Sequence, residues 1–249
     1  MICSPGGKAG TLACLDKETG SVVWRSQGLT DYATYSSVIP VEINGIRQYV
    51  QTTYSPKRVG GVAGVSAKDG SLLWYYPRPG YQTAVIPTPI SWDHFVFVSA
   101  GYNAGCDLIK VKAQGDKFDA EQVYQNRNMI NHHGGMVRVG DHIYGYSDRG
   151  GWTCLDARTG NVVWSDRGIG KGSVTCADGM LYCYAERDGT VALVPATPDG
   201  WKVAGLFTIP SQSKLRRRAR SIWTHPVVAN GKLYLRDFEL IYCYDVKAP

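Results

Sequence analysis

The sequence predicts an all-β protein built from four-stranded antiparallel sheets. Two observations support this fold class. The chain holds 16 Tyr and 29 Gly among its 249 residues, a composition that suits half-buried pleated strands joined by tight turns. One hairpin also recurs in the sequence: CLDKETGSVVW ends at Trp24, GVSAKDGSLLW at Trp74 and CLDARTGNVVW at Trp164. Short strands that repeat every 40 to 50 residues or so are typical of the blades of a β-propeller.

The recurring hairpin consists of an alternating apolar strand, a polar turn and a second strand that ends in Trp. Each turn closes on a glycine (Gly20, Gly70 and Gly160) four residues before the Trp, where a tight hairpin turn requires a positive φ. The same spacing predicts two weaker copies of the repeat. We expect the aromatic residues at the ends of all five copies to pack between neighbouring blades; they are Trp24, Trp74, Tyr124, Trp164 and Phe207.

A second recurring unit, of two strands around a Gly or Asp turn, precedes each hairpin, as in MVRVGDHIYGYSD (136–148) and SVTCADGMLYCYAE (173–186). Each blade therefore has strands A, B, C and D in chain order. We predict one partial propeller over residues 1–249, of about five and a half blades. The predicted blades span approximately residues 1–32 (partial), 33–80, 81–129, 130–169, 170–211 and 221–249 (partial).

The first blade begins at its B strand and the last ends before its D strand, so we expect open blade edges, which could support self-association. No stretch approaches the roughly 18 apolar residues of a membrane-spanning helix. The N-terminal MICSPGGKAG lacks the layout of a signal peptide, so any signal would lie upstream of Met1.

The net charge of +6 is concentrated in SKLRRRAR, which holds Lys214, Arg216, Arg217, Arg218 and Arg220. These five residues account for all but one of the net positive charges, so we expect a solvated, exposed insertion and no nucleic-acid partner. The 7 Cys show no CxxC spacing and no adjacent pair. Buried thiols are expected, with a disulfide or a metal site as alternatives.

The starts of the A strands gather at one end of a propeller and surround the mouth of its channel. That position is occupied by 35–37, 83–84, 131–133, 171 and 223–225. We expect any ligand to bind there, through the polar and aromatic residues Asn131, His132, His133, Lys171, Trp223 and His225. The alternative is that the Asn and His before a Gly pair satisfy backbone groups. A metal site that includes His225 is a further alternative, and no catalytic residue can be assigned, because no hydrolase, zincin or phosphate-loop motif is present.

The pattern (L/V)-(D/S)-x-x-(T/D)-G-x-x-x-W resembles the tryptophan-docking repeat of pyrroloquinoline-quinone (PQQ)-type propellers, and the resemblance covers essentially the whole chain. That superfamily includes quinoprotein alcohol dehydrogenases and the lipoprotein propeller of the outer-membrane assembly machinery. The NHHGG and HPVV...LYLRD segments are similar to those of uncharacterised bacterial propellers of the planctomycete type. This similarity implies an eight-bladed whole.

The resemblance implies a periplasmic or other extracytoplasmic protein. We expect a non-catalytic binding or scaffold propeller of the bacterial cell envelope, with a protein or a small molecule as its ligand. The alternative is an enzyme with a site at the channel mouth, including a PQQ-dependent dehydrogenase. Quinoprotein dehydrogenases hold PQQ with a vicinal disulfide, a stacking Trp and calcium. This sequence has no Cys-Cys pair, and its acidic residues mostly lie in repeat turns, as Asp16 and Asp156 do. We therefore expect neither PQQ nor calcium.

Overall fold

The computed structural model describes residues 1–55, 59–78, 85–216 and 221–247. None of these residues is helical, and the strands form six antiparallel sheets. The prediction of an all-β fold of four-stranded units is therefore confirmed. The chain divides into two compact units, Met1–Arg127 and Asn128–Pro249. Each unit holds three sheets, and each sheet lies within one of the six predicted blade ranges.

The first unit contains one three-stranded sheet followed by two four-stranded sheets, each built from strands in chain order. The strands of the first sheet are β1 (Ile2–Cys3), β2 (Ala13–Leu15) and β3 (Val22–Arg25). Those of the second are β4 (Ile39–Ile43), β5 (Ile46–Thr52), β6 (Gly61–Ser66) and β7 (Leu72–Pro77). Those of the third are β8 (Ile90–Trp92), β9 (Phe95–Ala100), β10 (Gly105–Gln114) and β11 (Lys117–Asn126).

The second unit contains two four-stranded sheets followed by one three-stranded sheet. The strands of the fourth sheet are β12 (Met136–Val139), β13 (His142–Ser147), β14 (Gly151–Asp156) and β15 (Val162–Asp166). Those of the fifth are β16 (Gly172–Ala177), β17 (Met180–Ala185), β18 (Thr190–Pro195) and β19 (Gly205–Thr208). Those of the sixth are β20 (Val227–Ala229), β21 (Lys232–Asp237) and β22 (Leu240–Asp245).

The first four sheets share one strand register around the repeated aromatic residue. Each aromatic pairs with a residue of strand C, and a β-bulge follows that residue in every case. The pairs are Cys14 with Trp24, Gly64 with Trp74, Leu108 with Tyr124 and Cys154 with Trp164. A bulge inserts one extra residue and increases the local twist. The shared register shows that Tyr124 stands where the other sheets have Trp.

Two of the repeated Trp residues bond to the next sheet, and one does not. The Nε1 atom of Trp24 donates to the Ala67 carbonyl at 3.3 Å, and that of Trp164 donates to the Thr197 carbonyl at 3.0 Å. Trp74 is buried and instead donates to Oε1 of Gln48 in its own sheet, at 2.7 Å. It lies against Gly64, where a Cβ atom would be 2.1 Å from the indole nitrogen. Glycine at position 64 therefore makes room for this buried ring.

Phe207 occupies a different register from the other four aromatic residues. It pairs with Val191 in a sheet for which no bulge interrupts the pairing of strands C and D. Its side chain is 36% exposed, and its ring centroid lies 4.8 Å from that of Tyr244 in the sixth sheet. Phe207 thus contacts the neighbouring sheet but is covered less completely than Trp74.

The basic segment SKLRRRAR is not uniformly exposed, contrary to our expectation. The Arg216 side chain is only 7% exposed and binds the fully buried carboxylate of Asp237 through Nε and Nη2. Its Nη1 atom also donates to the Arg187 carbonyl at 3.1 Å. A matching carboxylate compensates the cost of burying this charge. Arg217, Arg218 and Arg220 lie outside the described residues.

The seven cysteines all lie in the described part of the chain, and none of them forms a disulfide. Cys106, Cys154 and Cys183 are buried, whereas Cys243 is exposed. Burial raises the pKa of the Cys154 thiol to about 11, so this group stays protonated at neutral pH. Among the described residues, no helix is long and apolar enough to cross a membrane.

Candidate functional site

The A strands of the second unit (β12, β16 and β20) begin close to one another. The Val174 amide donates to the Gly134 carbonyl at 3.0 Å, and the Ser173 hydroxyl donates to the Thr224 carbonyl at 2.9 Å. A Cβ atom at Gly134 would lie 2.1 Å from the Gly172 carbonyl oxygen. The first glycine of the NHHGG segment is therefore required for this close backbone approach.

Asn131 bonds to the backbone around it. Its side chain is completely buried. The amide oxygen accepts from the Gly135 N–H at 3.1 Å, and Nδ2 donates to the Gly135 carbonyl at 2.9 Å and to the Tyr146 carbonyl at 3.1 Å. These bonds hold the turn that precedes β12, as the alternative of backbone satisfaction expects. Ligand contact by Asn131 stays a prediction.

His133 and His225 are both hydrogen-bonded, and His133 is buried whereas His225 is exposed. His133 is 7% exposed, and its Nε2 atom lies 2.8 Å from Oε2 of Glu186. This bond is the main reason that the pKa of Glu186 lies below its ordinary value. The Nε2 atom of His225 lies 2.7 Å from the His133 carbonyl oxygen. A carbonyl can only accept, so Nε2 of His225 must carry the hydrogen.

The His225 ring also explains the second glycine of NHHGG. Gly135 has a φ of 72°, and a Cβ atom there would lie 2.6 Å from Cε1 of His225. Both the backbone conformation and the neighbouring ring therefore favour glycine at this position. His225 is held between β12 and β20 by these contacts.

His132, the other member of the histidine pair, belongs to a second group of bonded side chains. The Lys171 ammonium donates to Oδ1 of Asp148 at 2.6 Å and lies 3.4 Å from Nδ1 of His132. An ammonium has no acceptor, so Nδ1 of His132 accepts, and the ring is the neutral Nε2–H tautomer. Burial, followed by the charge of Lys171, lowers the pKa of His132, which favours the same neutral form.

Three acidic residues of this region were not identified from the sequence. Asp148, Glu186 and Asp237 stand at or just after the ends of the three B strands, and each binds a cationic or N–H group of the protein. Their partners are Lys171, His133 and Arg216, from segments that precede an A strand. The recurrence of YSD, YAE and LRD in the repeats was the signal that could have revealed these acids.

Trp223, another of the predicted site residues, is 58% exposed. Its ring centroid lies 5.6 Å from that of His133. It also lines a hollow of about 460 Å³ on the sixth sheet, together with Phe238 and Arg236. The Trp223 ring therefore contacts the buried His133 on one side and is exposed to solvent on the other.

In the first unit, the corresponding segment 35–37 contains Tyr35, which is 77% exposed. The Ser36 hydroxyl is buried and lies 2.6 Å from that of Thr52. The predicted positions 83–84 lie outside the described residues.

Two carboxylates at this end of the second unit are already paired within the protein. Asp148 and Glu186 already bond to Lys171 and His133, so neither carboxylate is available to coordinate an ion without breaking a bond. Among the described residues, no group of three or more His, Cys, Asp or Glu side chains is arranged to hold a metal ion. The starts of the A strands in the second unit thus form a surface that is held by side-chain bonds and on which Trp223 is exposed.

The comparisons with known proteins identify the family. A family model described as "Outer membrane protein assembly factor BamB" matches residues 4–166 and 132–200. The chain belongs to the BamB family. This result confirms the expected membership of the PQQ-like propeller superfamily. No curated protein matches the chain.

The fold of the chain is similar to those of solved structures, among them the following two. The crystal structure of BamB from Moraxella catarrhalis superposes with a TM-score of 0.63 and 13% sequence identity, over 95% of this chain and 66% of that one. The chain therefore spans slightly less than two thirds of that BamB structure. The computationally designed Ika8 protein gives a TM-score of 0.51 and 12% identity, over 92% of this chain and 75% of that one. Likenesses at these identities show the fold alone.

Proposed function

We propose that this chain is a non-catalytic binding propeller of the bacterial cell envelope. Its partner is a protein, which binds at the end of the second unit where the A strands begin. The observation that carries this proposal is the family match, because the family is described as an outer membrane protein assembly factor. An assembly factor acts by holding other proteins rather than by transforming a substrate.

The state of the charged groups at this end supports binding over catalysis. A general base or nucleophile must reach a substrate within hydrogen-bond distance. His133 is 7% exposed and bonded to Glu186, and Lys171 is bonded to Asp148. These bonds hold the rim rigid, and a rigid surface loses little conformational entropy when a partner binds.

Site-specific photo-crosslinking in the bacterium of origin tests this proposal. A photoreactive phenylalanine analogue replaces Arg187, which is exposed in the turn after β17. The matched control places the same analogue at Asp141, which is exposed in the β12–β13 turn at the opposite end of its sheet. We expect a discrete crosslinked protein from position 187 only, in the envelope fraction, and we expect that protein to bind the chain after both are purified.

Two results would contradict the proposal. Equal crosslinking from positions 187 and 141, or none from position 187, would show that this end is not a binding face. Recovery of the chain in the cytoplasmic fraction would contradict the assignment to the cell envelope.

We also propose that the chain works without PQQ or calcium. The test adds PQQ and calcium to the purified protein and then removes unbound quinone. We expect no quinone absorbance to remain with the protein. Retained absorbance that depends on calcium would instead support a quinone-dependent dehydrogenase.

A second candidate function, an enzyme with its site at the channel mouth, is favoured by the His133–Glu186 pair. A carboxylate that orients an imidazole is a common element of general-base catalysis. The burial of His133 weighs against it, because few substrates could reach the ring. Turnover of any substrate that is lost in His133→Gln, while the melting temperature is preserved, would favour this candidate.

A further inference from the structure

A hollow of about 460 Å³ opens beside the proposed binding face, between segment 221–224 and the end of β21 with the turn that follows it. It is lined by Ser221, Ile222, Trp223, Thr224, Arg236 and Phe238. The volume falls in the range of pockets that hold a compact ligand or a few side chains. Trp223 is 58% exposed and Phe238 is 39% exposed, and exposed aromatic residues around a concavity are typical of protein-binding hot spots.

Phe238 is the first residue of the two-residue turn between β21 and β22, a position at which such turns take a positive φ. Its φ is 53°, whereas most other non-glycine residues with positive φ in the described chain are Asn or Asp. A bulky side chain rarely adopts this conformation, and strained residues of this kind concentrate at functional sites. Arg236 helps to hold the turn, since its Nε atom donates to the Phe238 carbonyl at 2.7 Å. The turn therefore directs an aromatic ring to the surface at a cost in backbone energy.

The charge of the hollow is positive. Arg236 is exposed and is the charged residue among those that line the hollow in the described part of the chain. The neighbouring Asp237 is fully buried and bound to Arg216, so its charge is compensated within the protein. The whole chain carries a net charge of +6, which attracts acidic partners from a distance.

We infer that the hollow binds an acidic segment of the partner protein that carries a large apolar side chain. The apolar side chain enters the space between Trp223 and Phe238, and a neighbouring carboxylate of the segment pairs with Arg236. The inference rests on the proposed function and adds to it the place and the chemistry of recognition.

Selection of peptides from a random 12-residue phage library, with the full chain as target, tests the inference. We expect the selected peptides to share one Phe, Trp, Leu or Met next to Asp or Glu. Synthetic copies of those peptides should bind the Trp223→Ala and Phe238→Asn variants at least 10-fold more weakly than the original chain. Arg236→Gln should weaken acidic peptides but not copies in which Gln and Asn replace the acids.

The matched control is Leu206→Ala, which shortens a large apolar side chain that is 62% exposed and lies outside this hollow. We expect this variant to bind the peptides as the original chain does. Loss of binding in Leu206→Ala with retention in Trp223→Ala would move the site to a second hollow, which Leu206 lines with Phe207, and would overturn the inference. Selection of basic peptides, or of none, would also overturn it.

Failure of this inference is distinguishable from failure of the proposed function. If crosslinking from position 187 persists at full yield in the Trp223→Ala chain, the partner still binds at this end of the unit, but the hollow does not contribute to its binding. If position 187 gives no crosslink in the original chain, the proposed function itself fails. Since Trp223 and Phe238 are both partly exposed, unchanged melting temperatures will show that the variants are folded.

Discussion

The three histidines at the starts of the A strands have different chemical roles, although the sequence presents them alike. His225 is fixed by the His133 carbonyl and the Gly135 backbone, and His133 by Glu186. His132 accepts from Lys171 and is more accessible than His133. Burial and the charge of Lys171 lower the pKa of His132 and favour its neutral form, while the other two rings bond to groups of neighbouring segments.

The lowered pKa of His132 makes a testable contribution to stability. Because the unfolded chain takes up a proton near pH 6.5 that the folded chain resists, stability should fall as the pH drops below about 6.5. We expect His132→Gln to reduce this loss. The measurement is the free energy of unfolding by urea at several pH values between about 8 and 5.5. An identical pH dependence in the two proteins would contradict the assignment of His132 as the neutral form.

Glu186 affects the pH dependence of stability in a lower pH range, so its contribution can be measured separately from that of His132. Its pKa lies below the ordinary value, so the stability it provides is present above about pH 4.5 and is lost as the pH falls through its lowered pKa. The titration of His132 should therefore be measured above this range.

The strained turn at Phe238 leads to a second prediction at this scale. Phe238→Asn should leave the free energy of unfolding unchanged or raise it by about 1 kcal/mol, because Asn tolerates a positive φ better than Phe. Urea unfolding at neutral pH measures this effect. A loss of more than about 2 kcal/mol, typical of removing a packed core side chain, would mean that Phe238 is needed for folding.

At the scale of the secondary-structure elements, buried ion pairs attach the segments between sheets to the sheet that follows. Arg78, after β7, binds Asp107 of β10 at 2.7 Å, with side-chain exposures of 5% and 0%. Arg216, which follows β19, binds Asp237 at the end of β21. Each pair joins a connecting segment to a strand of the next sheet in the same unit. Buried ion pairs of this kind hold the connecting segment in place on the strand, but they add little to the free energy of unfolding.

Removing one member of the Arg216–Asp237 pair should therefore lower the free energy of unfolding. We expect Asp237→Asn to lower the free energy of unfolding by about 3–5 kcal/mol, because it leaves the buried Arg216 guanidinium without its counter-charge. The double variant Asp237→Leu with Arg216→Met should recover much of the loss. Asp245→Asn is the control, since Asp245 pairs with Lys232 at 2.6 Å on the exposed side of the same sheet. Equal losses in Asp237→Asn and Asp245→Asn would show that burial is not what matters.

At the scale of the whole molecule, the repeated sheets form a scaffold that could serve several functions. The surface charge favours an acidic partner. The pI of about 8.9 keeps the protein cationic at neutral pH. Attraction between a cationic protein and an acidic partner acts over roughly a Debye length, about 10 Å at 0.1 M salt. Charge should therefore influence how fast a partner associates.

This reasoning predicts a strong effect of salt on association. The association rate constant of the acidic peptides should fall by about 10-fold or more between low and physiological salt, while the dissociation rate constant changes much less. Stopped-flow measurement with fluorescein-labelled peptides gives both constants. The control peptides with Gln and Asn should associate at rates that hardly depend on salt. Equal salt dependence for both kinds of peptide would contradict a charge-based recognition.

The sequence by itself determined the fold class, the strand order and the family. These depend on local patterns: alternation along a strand, the glycine of a hairpin turn, and Trp at a fixed offset from Gly20, Gly70 and Gly160. The β-bulge that aligns Tyr124 with the Trp residues is local as well. The register of Phe207 was harder to predict, because residues 196–204 replace the short turn of the other hairpins.

Only the tertiary structure decided which side chains meet. Asp148, Glu186 and Asp237 find their partners on other sheets or connecting segments, and periodicity within a strand carries no information about such distances. The burial of Arg216 could not be predicted, because charge alone indicates exposure, and only the position of Asp237 makes burial favourable. The bonds of Asn131 to Gly135 and Tyr146 could not be predicted for the same reason, because they depend on how β12 and β13 pair. The hollow between Trp223 and Phe238 likewise forms only when two segments of the chain come together.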